Sequence, residues 1–152
     1  VSPAYLMGWE DTSDNLPDNI FSLPKMKKIP LVGQIACGLP ILAEENIEDY
    51  IDLPTHIHAD YALTCKGESM VNAGIQDGDV VYRRKQEEVE NGQIAAVRVD
   101  CEDATLKRFY YDGSAVQLVA ENPKFPPQVF AGENINRIKV IGLAVAYTHV
   151  IH

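Results

Sequence analysis

Basic residues, cysteine, histidine and long apolar runs are all scarce in this 152-residue chain, and each shortage closes off a class of function. Thirteen Lys and Arg stand against 22 Asp and Glu, a formal net charge of −9. A surface this acidic repels phosphate backbones, so these residues do not make a nucleic-acid surface by themselves, and any DNA contact belongs elsewhere. The three cysteines, Cys37, Cys65 and Cys101, cannot all pair, and no CxxC spacing joins them. That pattern favours a reducing, cytoplasmic compartment over a secreted disulfide scaffold. No stretch is long and apolar enough to span a membrane, and no basic-then-apolar leader opens the chain. Of the four histidines, His56 and His58 flank Ile57, and His149 and His152 close the chain. A His-x-His pair without a third ligand at useful spacing does not make a metal site, so neither metal nor cofactor is expected.

What is present is enough apolar material, 46% of the residues, to bury a core in one domain with a tail. Residues 1 to 24 carry Glu10, Asp11, Asp14 and Asp18 with no Lys or Arg and are punctuated by Pro3, Pro17 and Pro24. They read as a linker with one apolar patch at Tyr5, Leu6, Met7 and Trp9. From about Lys27 short apolar runs alternate with turn signals. Strands are expected at Ile29 to Ile35, Tyr61 to Cys65, Val80 to Arg84, Gln93 to Val99, Thr105 to Tyr111, Val116 to Ala120 and Arg137 to Ile151. Turns are marked by Asp77-Gly78-Asp79, Asn91-Gly92, Asp112-Gly113-Ser114 and Ala131-Gly132-Glu133. Only Ser69 to Gly74 suits a helical turn. The C-terminal run is too apolar for an exposed edge and is expected to be buried and to contribute to a symmetric dimer.

Beyond residue 30 only two serines occur, Ser69 and Ser114, and Ser114 lies in an Asp-Gly-Ser turn that explains it. Ser69, in Lys66-Gly67-Glu68-Ser69-Met70, follows a strand and precedes a helical turn. Such a junction can present a hydroxyl beside free backbone N–H groups, although a serine there also serves as a simple cap. A nucleophilic serine needs a base. A neutral lysine can serve, and burial is what makes a lysine neutral. In Thr105-Leu106-Lys107-Arg108-Phe109 the strand period sends Lys107 and Arg108 to opposite faces. Arg keeps its proton, so Lys107 is the residue that survives an apolar site. The alternative from local pattern is a solvated Lys107 with a snorkelling Arg108.

These residues sit in a wider pattern. Val32-Gly33-Gln34-Ile35-Ala36-Cys37-Gly38 with Pro40-Ile41-Leu42-Ala43-Glu44, then Gly67-Glu68-Ser69-Met70, Asp77-Gly78-Asp79, Thr105-Leu106-Lys107-Arg108 and Glu121-Asn122-Pro123 occur in that order. The span from Ile29 to Ile151 resembles the self-cleaving C-terminal domain shared by LexA-type repressors, phage repressors and UmuD-like proteins. The resemblance implies an all-β fold, a compact LexA/signal-peptidase-like β-fold of short, partly antiparallel strands with one short helical turn. It implies a serine endopeptidase with Ser69 as nucleophile, Lys107 as general base and the N–H groups of Glu68 and Ser69 as oxyanion hole. The bond cleaved would join Cys37 to Gly38, with Ile35 and Ala36 in the substrate segment. The family pattern has Ala before that Gly, where this chain has Cys37.

Ser2-Pro3-Ala4-Tyr5-Leu6-Met7-Gly8-Trp9-Glu10-Asp11 is similar to the close of Xre-type helix-turn-helix DNA-binding domains. The organisation expected is the end of such a domain at 1–11, a linker at 12–28 and a self-cleaving, dimerising domain at 29–152. Val1 in place of Met fits a fragment of a longer protein. The function implied is that of a LexA-like or prophage repressor in which self-cleavage ends repression in the SOS response to DNA damage. Its partners would be a second copy of itself, a RecA-type filament as co-protease and operator DNA through the upstream domain, with no membrane. The alternatives are a UmuD-like polymerase accessory protein and a non-enzymatic β-rich dimerisation module.

Overall fold

The computed structural model describes residues 25–35 and 38–151. The apolar Tyr5 to Trp9 patch, the expected domain end at 1–11 and most of the linker lie outside them. Nine strands form one sheet: β1 Met26–Val32, β2 Ile47–Pro54, β3 Tyr61–Thr64, β4 Val80–Arg84, β5 Ile94–Val99, β6 Thr105–Tyr111, β7 Ala115–Val119, β8 Gln128–Ala131 and β9 Ile138–Thr148. Their order is β2-β1-β3-β4-β9-β5-β6-β7-β8. Seven of these pairings are antiparallel, and β1 with β3 is parallel. The fold is all-β.

All seven expected strands are present, β4 and β6 with the expected ends and the other five with shifted ones, and two more, β2 and β8, complete the sheet. Both are edge strands. β2 carries Glu48, Asp49 and Asp52 among Ile47, Ile51 and Leu53, and charge of that kind protects an edge from pairing while breaking the apolar signal. β1 begins at Met26, so residues 26–28 of the expected linker are strand. Three 3-10 turns, not one, occur among the described residues: Glu44–Asn46, Val71–Ala73 and Gly132–Arg137.

The C-terminal run is not at an edge: β9 lies between β4 and β5. That interior position accounts for its apolar character, with Val140 and Ile141 buried. The core falls into three clusters. One, built on Val32, Tyr61, Cys65, Met70, Val81, Leu106 and Ile141, lies beneath the segment that carries Ser69. A second joins Ala95 and Val97 of β5 to Val116, Leu118 and Phe130 of the far half of the sheet. The third packs Ile29, Leu53, Ala62 and Tyr82 at the near half.

Candidate active site

After β3 the chain reverses at Gly67, whose φ of +89° is open to glycine and strained for other residues. The Gly67 N–H donates to Asp77 Oδ1 at 2.7 Å. The Gly78 N–H donates to the Cys65 carbonyl at 2.8 Å, and the Cys65 N–H to the Asp79 carbonyl at 2.7 Å. The Asp77-Gly78-Asp79 motif thus ties down residues 65–67 from the side. Just beyond, Met70 is fully buried, and its carbonyl accepts from the N–H groups of Ala73 and Ile75 at 3.0 and 3.2 Å. Ser69, half-buried, is held between these two anchors.

Lys107 lies on β6 opposite Ala95 of β5. Although remote from Ser69 in sequence, it lines the same cavity, of about 210 Å³, together with Cys65 and Leu106. Burial pulls the Lys107 amine below the usual lysine range, against a smaller opposing effect of the Cys65 thiol. Among the described residues the Lys107 amine and the Ser69 hydroxyl make no hydrogen bond, so neither is committed to a structural partner. Arg108, on the opposite face, pairs with Glu121 and donates to the Gly92 carbonyl at 2.6 Å. The two faces of β6 therefore separate a lysine beside the cavity from an arginine engaged in holding loops.

The N–H groups of Glu68 and Ser69 make no hydrogen bond among the described residues. Asn122 Nδ2 donates to the Glu68 carbonyl at 2.9 Å. In a trans peptide C=O and N–H point in opposite directions, so this bond turns the Ser69 N–H away from Asn122. Asn122 is held near by its neighbour, because the Asn72 N–H donates to the Glu121 carbonyl at 2.9 Å while Glu121 pairs with Arg108. The Glu121-Asn122-Pro123 motif is thereby a clamp on the peptide that precedes Ser69.

Of the expected substrate segment, Ala36 and Cys37 lie outside the described residues. Ile35 is buried and its carbonyl accepts from Arg98 Nη2 at 2.7 Å. Gly38 lines a second cavity with Pro40, Lys85 and Lys139. That cavity shares no lining residue with the one that holds Ser69 and Lys107.

Two features were not anticipated. Arg83 of β4, 2% exposed, lines the Ser69 cavity. Its presence followed from the same period-2 logic as Lys107, since in Arg83-Arg84 one side chain must face inward. It lies beside the hydroxyl of Tyr61, which donates to the Ile141 carbonyl at 2.6 Å, and beside the Cys65 thiol. Burial pushes the Tyr61 phenol up to about 12 and raises the Cys65 thiol, each partly offset by Arg83. The second feature is His149. Its Nδ1 lies 2.5 Å from Oδ1 of the buried Asp79. Ser114 is the turn residue expected, its N–H and hydroxyl both donating to Asp112 Oδ1 at 2.9 Å.

Residues 30–145 match the family model for peptidase S24-like proteins. The chain is 37% identical over 127 residues to the LexA repressor of Shouchella clausii, covering 82% of this chain and 59% of that protein. It is 38% identical over 127 residues to the LexA repressor of Exiguobacterium sibiricum, covering 82% and 60% respectively. It is 46% identical over 102 residues to that of Psychromonas ingrahamii, covering 65% and 48%. The chain thus spans about six tenths of the length of the first two relatives. With this match running across the segments that carry Ser69, Lys107 and Asn122, the chain belongs to the peptidase S24-like family as a LexA-like member.

Proposed function

We propose that this chain is the self-cleaving part of a LexA-like transcriptional repressor that cuts its own Cys37 to Gly38 bond. The observation that carries the reading is the shared cavity of Ser69 and Lys107, two otherwise uncommitted side chains beside the free N–H groups of Glu68 and Ser69. Neutral Lys107 takes the proton of the Ser69 hydroxyl as Oγ attacks the Cys37 carbonyl carbon. The N–H groups of Glu68 and Ser69 receive the negative charge that develops on the carbonyl oxygen. Lys107 then gives its proton to the departing Gly38 amine, and water, deprotonated by the same lysine, releases the acyl group from Ser69.

Because Gly38 lines a different cavity from Ser69, the substrate segment has to be carried to the cavity for cleavage to occur. That movement is the step a RecA-type filament would promote. In the whole repressor, which acts in the cytoplasm, cleavage separates an upstream DNA-binding domain from the part that dimerises. Operator affinity falls because bivalent attachment is lost. The test is incubation of the chain at raised pH followed by mass spectrometry. A single cut between Cys37 and Gly38, absent in Ser69→Ala and unaffected by a chelator, supports the reading. A cut elsewhere, or one that survives Ser69→Ala, refutes it.

A further inference from the structure

Lys107 stands between two cavities. One is the cavity it shares with Ser69; the other, of about 280 Å³, is lined by Val97, Val99 and Pro126 and does not include Ser69. Among the described residues only Thr105, Lys107 and Phe125 line both. The first two belong to β6, so Phe125 is what another part of the chain adds to the partition. Its ring belongs to none of the three core clusters and is 43% exposed, so it contributes little burial to the fold. Its place is set by the same turn that holds the peptide before Ser69. Asn122 Nδ2 donates to the Glu68 carbonyl, while Asn122 Oδ1 accepts from the Lys124 N–H and the Asn122 carbonyl from the Phe125 N–H, both at 3.0 Å. Pro126 then biases the backbone of Phe125 toward an extended conformation. One short turn thus reaches the surroundings of both Ser69 and Lys107.

The titratable and charged groups around Lys107 lie on both sides. Cys65, Lys66, Glu68 and Arg83 line the Ser69 cavity, Glu102 and Asp103 line the second, and the partner of Lys107 on β5 is the apolar Ala95. What pulls the lysine below its ordinary range is burial, against the Cys65 thiol. That property depends on whatever keeps water from the amine, and carboxylates on the wall of the second cavity would favour the ammonium form if water and counter-charge reached it from there. We propose that Phe125 is a positioning residue for the proton transfer, its ring closing the partition beside Lys107 so that water does not reach the amine from the second cavity. This rests on the Ser69–Lys107 reading and adds to it the side chain that prepares the base.

The test compares the full chain with Phe125→Ala and Phe125→Leu by two readouts. One is the pH profile of self-cleavage, followed by mass spectrometry; the other is the titration of the Lys107 amine by NMR at its Cε in a Ser69→Ala background, which does not depend on cleavage. In Phe125→Ala both midpoints are expected to rise by about one pH unit, which makes cleavage roughly tenfold slower well below the midpoint and leaves the rate at the high-pH plateau close to that of the parent. Phe125→Leu, apolar and nearly as bulky, keeps most of the parent midpoint. A rate lowered by the same factor at every pH, or midpoints that stay in place, overturns the proposal, because a ring that only touches substrate or props the loop would act without changing the titration of the lysine. Should Phe125→Ala lose its thermal unfolding transition, Phe125→Val takes its place: a midpoint raised above that of Phe125→Leu supports the proposal and an equal one overturns it. An unshifted amine beside intact Ser69-dependent cleavage removes only the role of Phe125. A parent chain that does not cut at Cys37 to Gly38 removes the Ser69–Lys107 reading and this role with it.

Discussion

Lys107 can accept a proton only as a free amine, and its setting on the cavity wall supplies the means. Burial lowers its pKa, so the neutral form accumulates at lower pH than for a lysine in water. Self-cleavage should therefore rise with pH and level off below the ordinary lysine value of about 10.4. Lys107→Ala and Lys107→Arg should both be inactive, the second because a guanidinium stays protonated. His149→Ala should cleave at close to the parent rate, since His149 does not line the cavity. A plateau at or above the unperturbed lysine value, or an active Lys107→Arg, would show that another group is the base. Asn122 acts one bond further out, through its hold on the Glu68 carbonyl. Asn122→Ala should lower the cleavage rate by roughly tenfold to a hundredfold, toward the loss seen when an oxyanion donor is removed. Its thermal unfolding should shift little, because the amide is exposed. Equal rates for Asn122→Ala and the parent would make the motif a loop anchor without bearing on the reaction.

At the scale of elements, the crossing of β9 with β4 and β5 depends on one small residue. A Cβ on Gly142 would sit 2.6 Å from the Tyr61 hydroxyl oxygen and 3.0 Å from the Arg84 carbonyl oxygen. The hydroxyl is itself fixed by its bond to Ile141, and the carbonyl is backbone, so neither can yield freely. Gly142→Ala should thus destabilise the fold by about 1–3 kcal/mol, as an overpacked core does, measured by chemical denaturation. A second link joins the residues just past β9 to the turn behind Ser69, through His149 and Asp79. Burial alone would raise the Asp79 pKa, but the N–H of Gln76 and the His149 ring outweigh it, and the net shift is downward. A carboxylate with a lowered pKa in the folded state contributes stability that is present above its unfolded value, about 3.9. That contribution is lost as pH falls through the lower folded value. The stability difference between the parent and Asp79→Asn should hence be largest near neutral pH and shrink in acid. A difference that grows toward acid pH would contradict the sign.

For the molecule as a whole, the exposed apolar residues past the sheet point outward: Val150 is 66% and Ile151 89% exposed, next to the partly exposed Tyr147. A surface of this kind is suited to a second copy, so sedimentation at micromolar protein should show a dimer, and Val150→Asp should shift it toward monomer. A parent that sediments as a monomer would remove that face as the dimer contact. Cleavage itself is expected to be a property of one chain. The fraction cleaved at a given time should be the same across a dilution series in which the dimer persists, whereas a rate that scales with concentration would mean that one molecule cuts another.

Local chemistry was enough to single out Ser69 and Lys107 as candidates and to mark the Asp77-Gly78 and Asp112-Gly113 turns, because a scarce serine, an adjacent Lys-Arg pair in a strand and glycine-rich turns each leave few readings open. It was enough for the all-β class, since period-2 alternation of buried and exposed residues is a backbone property. Edge strand β2 was illegible because its charges blur that alternation, and β8 because its four residues are too few to show one. The interior place of β9 was illegible because strand order is set by long-range pairing. Only the folded sheet brings Lys107 of β6 to the cavity of Ser69, sets Asn122 on the Glu68 carbonyl, and buries Arg83 beside Tyr61. Each of these joins segments far apart in the chain, and a contact of that kind depends on how β-strands stack side by side, which no local run of residues specifies.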